Sequence, residues 1–515
     1  MSKQSHLARL SRRFLLSRAA GLAALSTLAG VGILAACGGT TSQATSTTAG
    51  SSAAASSAGA ATSAASTSAS APVVSSAASV ASAATSTAAP TPAPAAAGPA
   101  ATPTTGIVGT GSKAAVKLQW MSYFNPQDIS RLSGQFLPDY EQSHPGVAVE
   151  VIIGPGGIID SQQKYLALTA AGVPPDLFGN TRPATNLAQQ GLFADLSPLL
   201  AKDKFDVSKY NQRLFNYQAG YKGDIYGLPL SVHAEAPAMI YNRDLFQKAS
   251  VPEPPAAWGD DAWTWDTFVE AARKLTVTGT DGNLSQVGVN SLAYSVHIPV
   301  LWQGNWVSSD LSQAVCDSQA MQDAYTSYFD LSLKYKVMPG PNLKAPPGGF
   351  QGGTVAMSTM GSWEFGPYQK LDTVNWAFMP FPKATRSVYA FDPNMAYVAH
   401  TSKHVDETWT FLKWLDDGSR YAFFFNFMPM IAADTATWSK TFFQSKPNAR
   451  TQVLVDSLVL AQSIDPIFRV KGADAFVRQT VEPALSSIGA GKAEVRSTLQ
   501  NVKGPLQQLV DAAPK

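Results

Sequence analysis

Two histidines have a spacing that could bind a metal ion. His400 and His404 are four residues apart, which on a helix places both imidazoles on one face, where they could ligate zinc. A zinc hydrolase of that kind requires a glutamate directly after the first histidine, and Thr401 stands there instead. The chain also lacks a G-x-S-x-G nucleophile motif and a lysine-bearing phosphate loop. These patterns predict no metal site, no cofactor and no nucleophilic hydrolase.

Polar and aromatic side chains follow two predicted strands. Tyr123 and Asn125 come after the strand pattern at 116–120, and Asn180 and Arg182 come after the pattern at 175–178. Ligands of α/β sheets bind beyond the carboxyl ends of the strands, so we expect these four side chains to line a binding site. They can stack and form hydrogen bonds, which favours the binding of a polar solute.

Alternating strands and helices would position these residues. The segments 116–120 and 147–153 have strand patterns, and residues 128–143 carry apolar side chains at helical spacing. A second helix over 161–171 is closed by Gly172. This order predicts an α/β protein with a parallel sheet and helices on its faces.

The first 36 residues have the organisation of an export signal. Residues 1–18 contain five basic residues and no acidic residue, and 19–36 is an uncharged stretch rich in Ala and Gly. Ser11 to Leu16 resembles a twin-arginine signal, and Leu34 to Cys37 resembles a bacterial lipobox. The lipobox resemblance implies cleavage before Cys37 and lipidation of Cys37, which would anchor the chain to the outer face of the cell membrane. A general secretory signal and a permanent transmembrane helix are the alternatives.

The segment that follows has the composition of a tether. Residues 38–112 contain no Lys, Arg, Asp, Glu or His and consist mainly of Ala, Ser and Thr, with prolines concentrated near the end. Such a segment has too little bulky apolar surface to offset the entropy lost on ordering, so we predict a disordered tether over 37–113. Removal of residues 1–36 leaves 33 of the 38 basic residues against 36 acidic ones, a balance that does not suggest a nucleic-acid partner.

The remaining chain is long enough for two domains. Phe14 is the only aromatic residue before Trp120, so the large apolar side chains are concentrated in a region of about 400 residues. After lipidation of Cys37 the only free thiol would be Cys316, which we predict to be a small buried core residue.

Seven stretches of this region occur in the same order as the recurring motifs of one protein family. They are FLPDYEQSHPGV at 136–147, AAGVPPDL at 170–177, QGLFADL at 190–196, GDIYGLP at 223–229, YNRDLF at 241–246, WTWDTF at 263–268 and FQGGTVAMSTMGSW at 350–363. The chain thereby resembles the extracellular solute-binding proteins of ABC importers, of the large carbohydrate-binding type that includes maltose-binding protein. Each motif is short, the resemblance rests on all seven together, and it fades after residue 425.

The resemblance implies a two-lobed clamp of the type II periplasmic-binding-protein class, each lobe being a sheet flanked by helices. The lobe boundaries it implies are 114–232 plus 386–425 for the N-terminal lobe and 233–385 plus 426–515 for the C-terminal lobe. The chain would cross between the lobes near 229–235, 382–388 and 425–430. Such a protein would be a monomer that binds a sugar or oligosaccharide between its lobes and delivers it to an ABC permease.

The resemblance also implies further ligand-binding residues. Trp363 matches the family's cleft tryptophan and would stack on a sugar face, and the adjacent Glu364 would accept hydrogen bonds from hydroxyl groups. The other candidates, at positions where the family contributes cleft residues, are His233, Trp302, Asn305, Trp306, Asp392 and Asn394. The family often places an acid after the third strand, but this chain has none between Asp176 and Asp195, which leaves the charge of the ligand open. Trp263, Trp265 and Phe268 are predicted to pack at a helix start instead.

Two other classes of function remain open at this stage. A glycosidase needs only two carboxylates at a suitable separation, so a tethered carbohydrate-active enzyme is the main alternative. It would turn over its sugar, whereas a binding protein would bind it reversibly and unchanged. A surface adhesion or sensor module is the third possibility, and it would not depend on a permease.

Overall fold

The structure is a computed structural model that describes most of the chain after the predicted tether. The described residues are 114–122, 126–154, 157–232, 236–292, 295–386, 393–461 and 466–513. The export signal, Cys37 and the tether lie outside them, as do the candidate residues Tyr123, Asn125, His233 and Asp392. Within the described part, no helix is both long and apolar enough to cross a membrane.

The first sheet has five strands in the order β2-β1-β3-β12-β6. These strands are β1 (Val116–Ser122), β2 (Val147–Ile153), β3 (Leu177–Asn180), β6 (Gly227–Val232) and β12 (Pro393–Val398). The strands predicted at 116–120 and 147–153 are confirmed, and β1 pairs in parallel with β2 and β3. The sheet is mixed rather than all-parallel, because β12 pairs antiparallel with both β3 and β6. The prediction of a parallel sheet is therefore correct for β1, β2 and β3 and wrong for β12.

Helices cover the first sheet. They are α1 (Pro126–Arg131, a π-helical turn at Leu132–Phe136, and Leu137–Ser143), α2 (Ile158–Ala170), α3 (Thr185–Ala188), α4 (Ser197–Lys202), α5 (Gln212–Ala219), α10 (Val405–Asp416) and α11 (Arg420–Phe425). A short hairpin, β4 (Gly220–Tyr221) and β5 (Asp224–Ile225), follows α5. The fully buried Trp120 makes edge contacts with Phe411 and Tyr421, which joins β1 to α10 and α11. Aromatic packing of this kind stabilises a core beyond the area it buries.

The second sheet also has five strands, in the order β11-β7-β10-β9-β8. They are β7 (Met239–Asn242), β8 (Val277–Thr278), β9 (Leu284–Val289), β10 (Val355–Thr359) and β11 (Trp376–Met379). The helices around it are α6 (Arg243–Lys248), α7 (Trp265–Lys274), α8 (Gln319–Leu333), α9 (Phe365–Gln369), α12 (Ala432–Phe442), α13 (Gln452–Leu460), α14 (Ala473–Phe476, a π-helical turn at Val477–Val481, and Glu482–Gly489) and α15 (Val495–Ala512). Two sheets, each with its own helices, form the predicted α/β architecture.

The start of α7 shows how local sequence fixes one of these helices. The Thr264 side chain accepts from the Thr267 backbone N–H, and the Thr267 hydroxyl accepts from the Thr264 backbone N–H, so two otherwise unpaired donors are satisfied. Trp263, Trp265 and Phe268 are buried beside this cap, which confirms their predicted packing role. Cys316 is likewise buried, as predicted.

The chain passes between the two sheets three times. β6 ends at Val232 and β7 begins at Met239, while β11 ends at Met379 and β12 begins at Pro393. The third passage follows α11, where Met428 accepts a backbone hydrogen bond of 2.7 Å from Val232 and α12 then packs beside the second sheet. These passages bring the strand ends of both sheets to one junction.

Candidate functional site

One edge of the first sheet gathers several of the predicted site residues. Strands β1, β2, β3 and β6 run in the same direction, and β12 runs opposite to them. The carboxyl ends of those four strands therefore lie at the same edge as the amino end of β12. The register confirms this placement, because Met395 pairs with Asn180 and Pro393 pairs with Val232. Asn180, Arg182 and Asn394 thus lie at one edge, as the strand-end rule predicts.

The second sheet contributes Trp363. Strand β10 ends at Thr359, and Trp363 follows in the short 3-10 turn Ser362–Glu364. The Ser362 hydroxyl donates to the Val232 carbonyl at 3.2 Å, which links this turn to the last residue of β6 in the first sheet. Trp363 therefore lies at the junction between the two sheets.

Trp363 presents its ring to solvent. Its side chain is 46% exposed, and it is the only aromatic among the exposed large hydrophobic residues of the described part of the chain. A Cβ atom placed on Gly361 would lie 2.4 Å from the indole ring, so the ring lies directly over the Gly361 backbone. An exposed indole on a small residue is a suitable platform for the flat face of a sugar ring.

Glu364 supports this platform. One of its carboxylate oxygens accepts a hydrogen bond of 2.6 Å from the Gly361 backbone N–H, which closes the turn that carries Trp363. The geometry gives Glu364 a positioning role for the indole. Its predicted contact with ligand hydroxyl groups stays a prediction.

Asn180 and Arg182 have different local roles. The Asn180 side chain donates to the side-chain oxygen Oε1 of Gln162 at 3.1 Å and accepts from the Arg182 backbone N–H at 3.2 Å, so it shapes the turn after β3. The Arg182 side chain reaches α14, one of the helices around the second sheet. Its Nε donates to Asp474 Oδ1 at 2.7 Å, and its guanidinium lies 4.1 Å from the centre of the Phe468 ring. Both sides of this ion pair are largely buried.

A second contact joins the same two regions. The Arg469 Nε donates to the Thr185 hydroxyl at 3.0 Å, and the Arg469 guanidinium lies 5.4 Å from the Tyr217 ring centre. Thr185 and Tyr217 belong to α3 and α5 beside the first sheet, whereas Arg469 belongs to the 3-10 turn Pro466–Arg469. The segment from Phe468 to Asp474 therefore contacts the first sheet's side of the junction at two places.

Sequence reasoning missed this segment. Phe468, Arg469 and Asp474 follow no strand, and they lie where the family motifs fade. The only available signal was that charged residues alternate there with apolar ones, which is too common a pattern to select them.

Buried acceptor atoms are concentrated around the end of β3. Asp474 Oδ2, Asn394 Oδ1, Gln218 Oε1 and Thr181 Oγ1 are buried and have no hydrogen-bond partner within the described structure. The Gln218 amide nitrogen donates to the carbonyls of Thr181 and Pro393, which fixes the orientation of that amide. Buried unpaired acceptors are costly, so a hydroxyl donor from a ligand or from water would be bound favourably here.

His297 is a neutral member of the site. It is buried and lies edge-on to Phe468, with 5.8 Å between ring centres. Burial, together with the nearby positive charge of Arg182, lowers the pKa of His297 to about 3. His297 therefore adds no positive charge to the site at neutral pH.

Because His297 is buried in its neutral form, acidification is expected to lower the free energy of unfolding. The unfolded chain takes up a proton on His297 below pH 6.5, whereas the folded chain does not until about pH 3, so the free energy of unfolding falls as the pH drops through this window. At pH 5 the loss from this residue alone is about 2 kcal/mol relative to pH 7. Urea unfolding of the parent and of His297→Gln at pH 7 and pH 5 measures it. The parent should lose about 2 kcal/mol more than the variant, and equal losses would contradict the buried neutral state.

The remaining candidates, Trp302, Asn305 and Trp306, lie in the part of the chain that packs around the second sheet. Trp306 is fully buried, donates its indole N–H to the Val296 carbonyl at 3.1 Å and packs against Tyr325. This geometry leaves no surface for a ligand, so the prediction that Trp306 binds ligand is corrected: it is a core residue. Trp302 is half-buried and makes an edge contact with Trp265 at 4.7 Å, and Asn305 is also half-buried. Among the described residues, neither of these two has a hydrogen bond or ring contact that joins it to the junction.

No metal site accompanies these groups in the described residues. No cluster of three or more His, Cys, Asp or Glu side chains there could hold a metal ion. His400 lies in a turn and His404 caps α10, so the two histidines do not share a helical face.

Known proteins resemble this chain in sequence and in fold. The family model described as bacterial extracellular solute-binding protein matches residues 125–415. A binding protein of Brucella abortus is 31% identical over 122 residues, and that match spans 24% of this chain and 28% of the relative's length.

Two solved structures share the fold along almost their whole length. UgpB from Mycobacterium tuberculosis in complex with glycerophosphocholine has a TM-score of 0.62 at 17% identity, covering 77% of this chain and 98% of that chain. An ABC substrate-binding protein from Listeria monocytogenes in complex with cycloalternan has a TM-score of 0.61 at 21% identity, covering 77% and 99%.

Proposed function

The chain belongs to the bacterial extracellular solute-binding proteins, and we propose that it binds a sugar or oligosaccharide between its two lobes and delivers it to an ABC permease. The observation that carries this proposal is the exposed indole of Trp363, held over Gly361 at the junction of the two sheets. Sugar rings have flat C–H faces that stack on aromatic rings and hydroxyl rims that need hydrogen-bond acceptors. The buried acceptors of Asn394 and Asp474 supply that second requirement.

The partners of the site's carboxylates favour a binding function over hydrolysis. Glu364 is engaged with the backbone of its own turn, and Asp474 is paired with Arg182. A glycosidase needs one carboxylic acid to donate a proton and a second carboxylate to act as nucleophile or base. The described carboxylates of the site have structural partners instead, and the solved structures that share the fold are those of binding proteins.

The proposed lobes follow the two sheets. The N-terminal lobe comprises 114–232 plus 386–425, and the C-terminal lobe comprises 233–385 plus 426–515. Ligand would enter the open cleft and favour a closed arrangement by contacting both lobes, since a ligand shifts such an equilibrium only by its differential affinity for the two states. We further propose that export occurs through the twin-arginine-like leader, that lipid on Cys37 anchors the monomer to the membrane, and that the tether lets it reach the permease.

Thermal unfolding of the full-length chain against a panel of sugars, polyols and sugar phosphates tests the proposal. A ligand that binds only the native state at about 100 times its Kd stabilises it by about 2.7 kcal/mol, which raises the Tm by a few degrees. We expect one class of sugar to do so and to be recovered unchanged. Consumption of the sugar would favour the enzyme alternative, and a Tm that no solute raises would contradict the proposed function.

A further inference from the structure

The Arg182–Asp474 pair connects two parts of the molecule that a ligand would have to separate or bridge. Arg182 follows β3 of the first sheet, whereas Asp474 lies in the first turn of α14, one of the helices around the second sheet. With 13% and 8% of their side chains exposed, the two groups exclude most water from their contact. We propose that Asp474 is a specificity-determining residue that makes the cleft select neutral, hydroxyl-bearing solutes over anionic ones. This inference rests on the proposed solute-binding function.

Charge is the first basis for the inference. Asp474 Oδ1 lies 2.7 Å from Arg182 Nε, so the guanidinium is neutralised by an acid of the protein itself. An anionic ligand at this position would have to compete with Asp474 for Arg182 and would be repelled by that carboxylate at short range. His297, a titratable group near Arg182, is neutral and offers no compensating charge. A neutral ligand meets none of these costs.

Hydrogen bonding is the second basis, and it is independent of charge. Asp474 Oδ2 is buried and has no partner in the described residues, and the same is true of Asn394 Oδ1 at the adjacent strand end. Both atoms accept hydrogen bonds and need a donor. A sugar or polyol hydroxyl donates, whereas a phosphate dianion or a carboxylate has no proton to give. The acceptors at this edge therefore match a polyhydroxy compound.

Arg469 is the group that an anionic ligand could use instead. Its Nε donates to Thr185 and its guanidinium lies near the Tyr217 ring, but it has no ion pair with an acid within the described structure. If anions bind, Arg469 is the cation expected to hold them. Arg469 therefore supplies the variant that distinguishes the two outcomes.

The experiment compares the full-length parent with Asp474→Asn. The probes are neutral mono- to tetrasaccharides and polyols, beside glucose 6-phosphate, glycerol 3-phosphate and glucuronate, and the readout is Kd by titration calorimetry. We expect the parent to bind a neutral probe most tightly. The variant should bind that probe about 10- to 100-fold more weakly, because a charge-assisted hydrogen bond is lost. The variant should bind the anionic probes at least about 10-fold more tightly than the parent, because no carboxylate then neutralises the charge of Arg182. Asp323→Asn removes an exposed carboxylate on α8 and should change neither value.

If Asp474→Asn fails to fold, the order in which the parent binds the probes keeps the inference falsifiable. Tightest binding of an anionic probe by the parent would overturn the inference while leaving the solute-binding function intact, and a loss of that binding in Arg469→Gln would identify Arg469 as the cation that holds the anion. Tightest binding of a neutral probe that Asp474→Asn leaves unchanged would also overturn it. A parent that binds no probe would instead contradict the proposed function itself.

Discussion

Replacing Trp363 with alanine is expected to weaken sugar binding by about 30- to 1,000-fold, the loss typical of a central aromatic contact. The indole is 46% exposed, so its removal costs less packing than the removal of a core tryptophan. The unfolding free energy measured without sugar should therefore fall by about 1 kcal/mol, well below the loss of about 3–5 kcal/mol expected for a core tryptophan. Calorimetry with the sugar that gives the largest thermal shift measures the affinity, and urea unfolding measures the stability.

Trp363→Phe is the matched control for this experiment. A phenyl ring keeps an aromatic face at the same backbone position, so binding should fall much less than in the alanine variant. Undiminished binding in Trp363→Ala would place the ligand elsewhere. Gly361→Ala tests the position of the indole, because the added Cβ would occupy the space that the ring now takes.

Replacing Trp306 with alanine is expected to have the opposite effect: a large loss of stability and no change in the affinity for sugar. The side chain is fully buried and its N–H is paired with the Val296 carbonyl, so truncation should lower the unfolding free energy by about 3–5 kcal/mol. At a temperature where the variant is still folded, its affinity for sugar should match that of the parent, because the indole contacts the core rather than the cleft. A variant of native stability that had lost its affinity would restore Trp306 to the binding site.

Local sequence patterns predicted the elements of this fold well but not all of the pairing. β1 and β2 were predictable because their side chains follow strand patterns, and the helix after β1 was predictable from the spacing of Ile129, Leu132 and Phe136. The antiparallel placement of β12 was not predictable, since its direction depends on the chain entering the first sheet from the second. That is a property of the tertiary path and leaves no periodicity in the residues of β12 themselves.

The same division applies to the site. Asn180 and Arg182 could be placed at one edge of the first sheet because strand ends meet there. Trp363 could be selected only because its motif resembles one in a family, and contact of these three residues with a ligand stays a prediction. The contact of Asp474 with Arg182 could not be predicted, since the two residues are 292 positions apart in the sequence and meet only in the folded chain. Trp306 was misassigned because a tryptophan in a loop-like sequence gives no sign of whether its ring faces a core or a cleft.

Equilibrium dialysis of the full-length chain against the sugar selected by the thermal panel, followed by mass spectrometry of the recovered sugar, tests the solute-binding function most directly. We predict saturable binding of one sugar per chain and recovery of the sugar unchanged. Hydrolysis of the sugar during dialysis, or uptake that never saturates, would contradict a protein that holds a solute between two lobes for delivery.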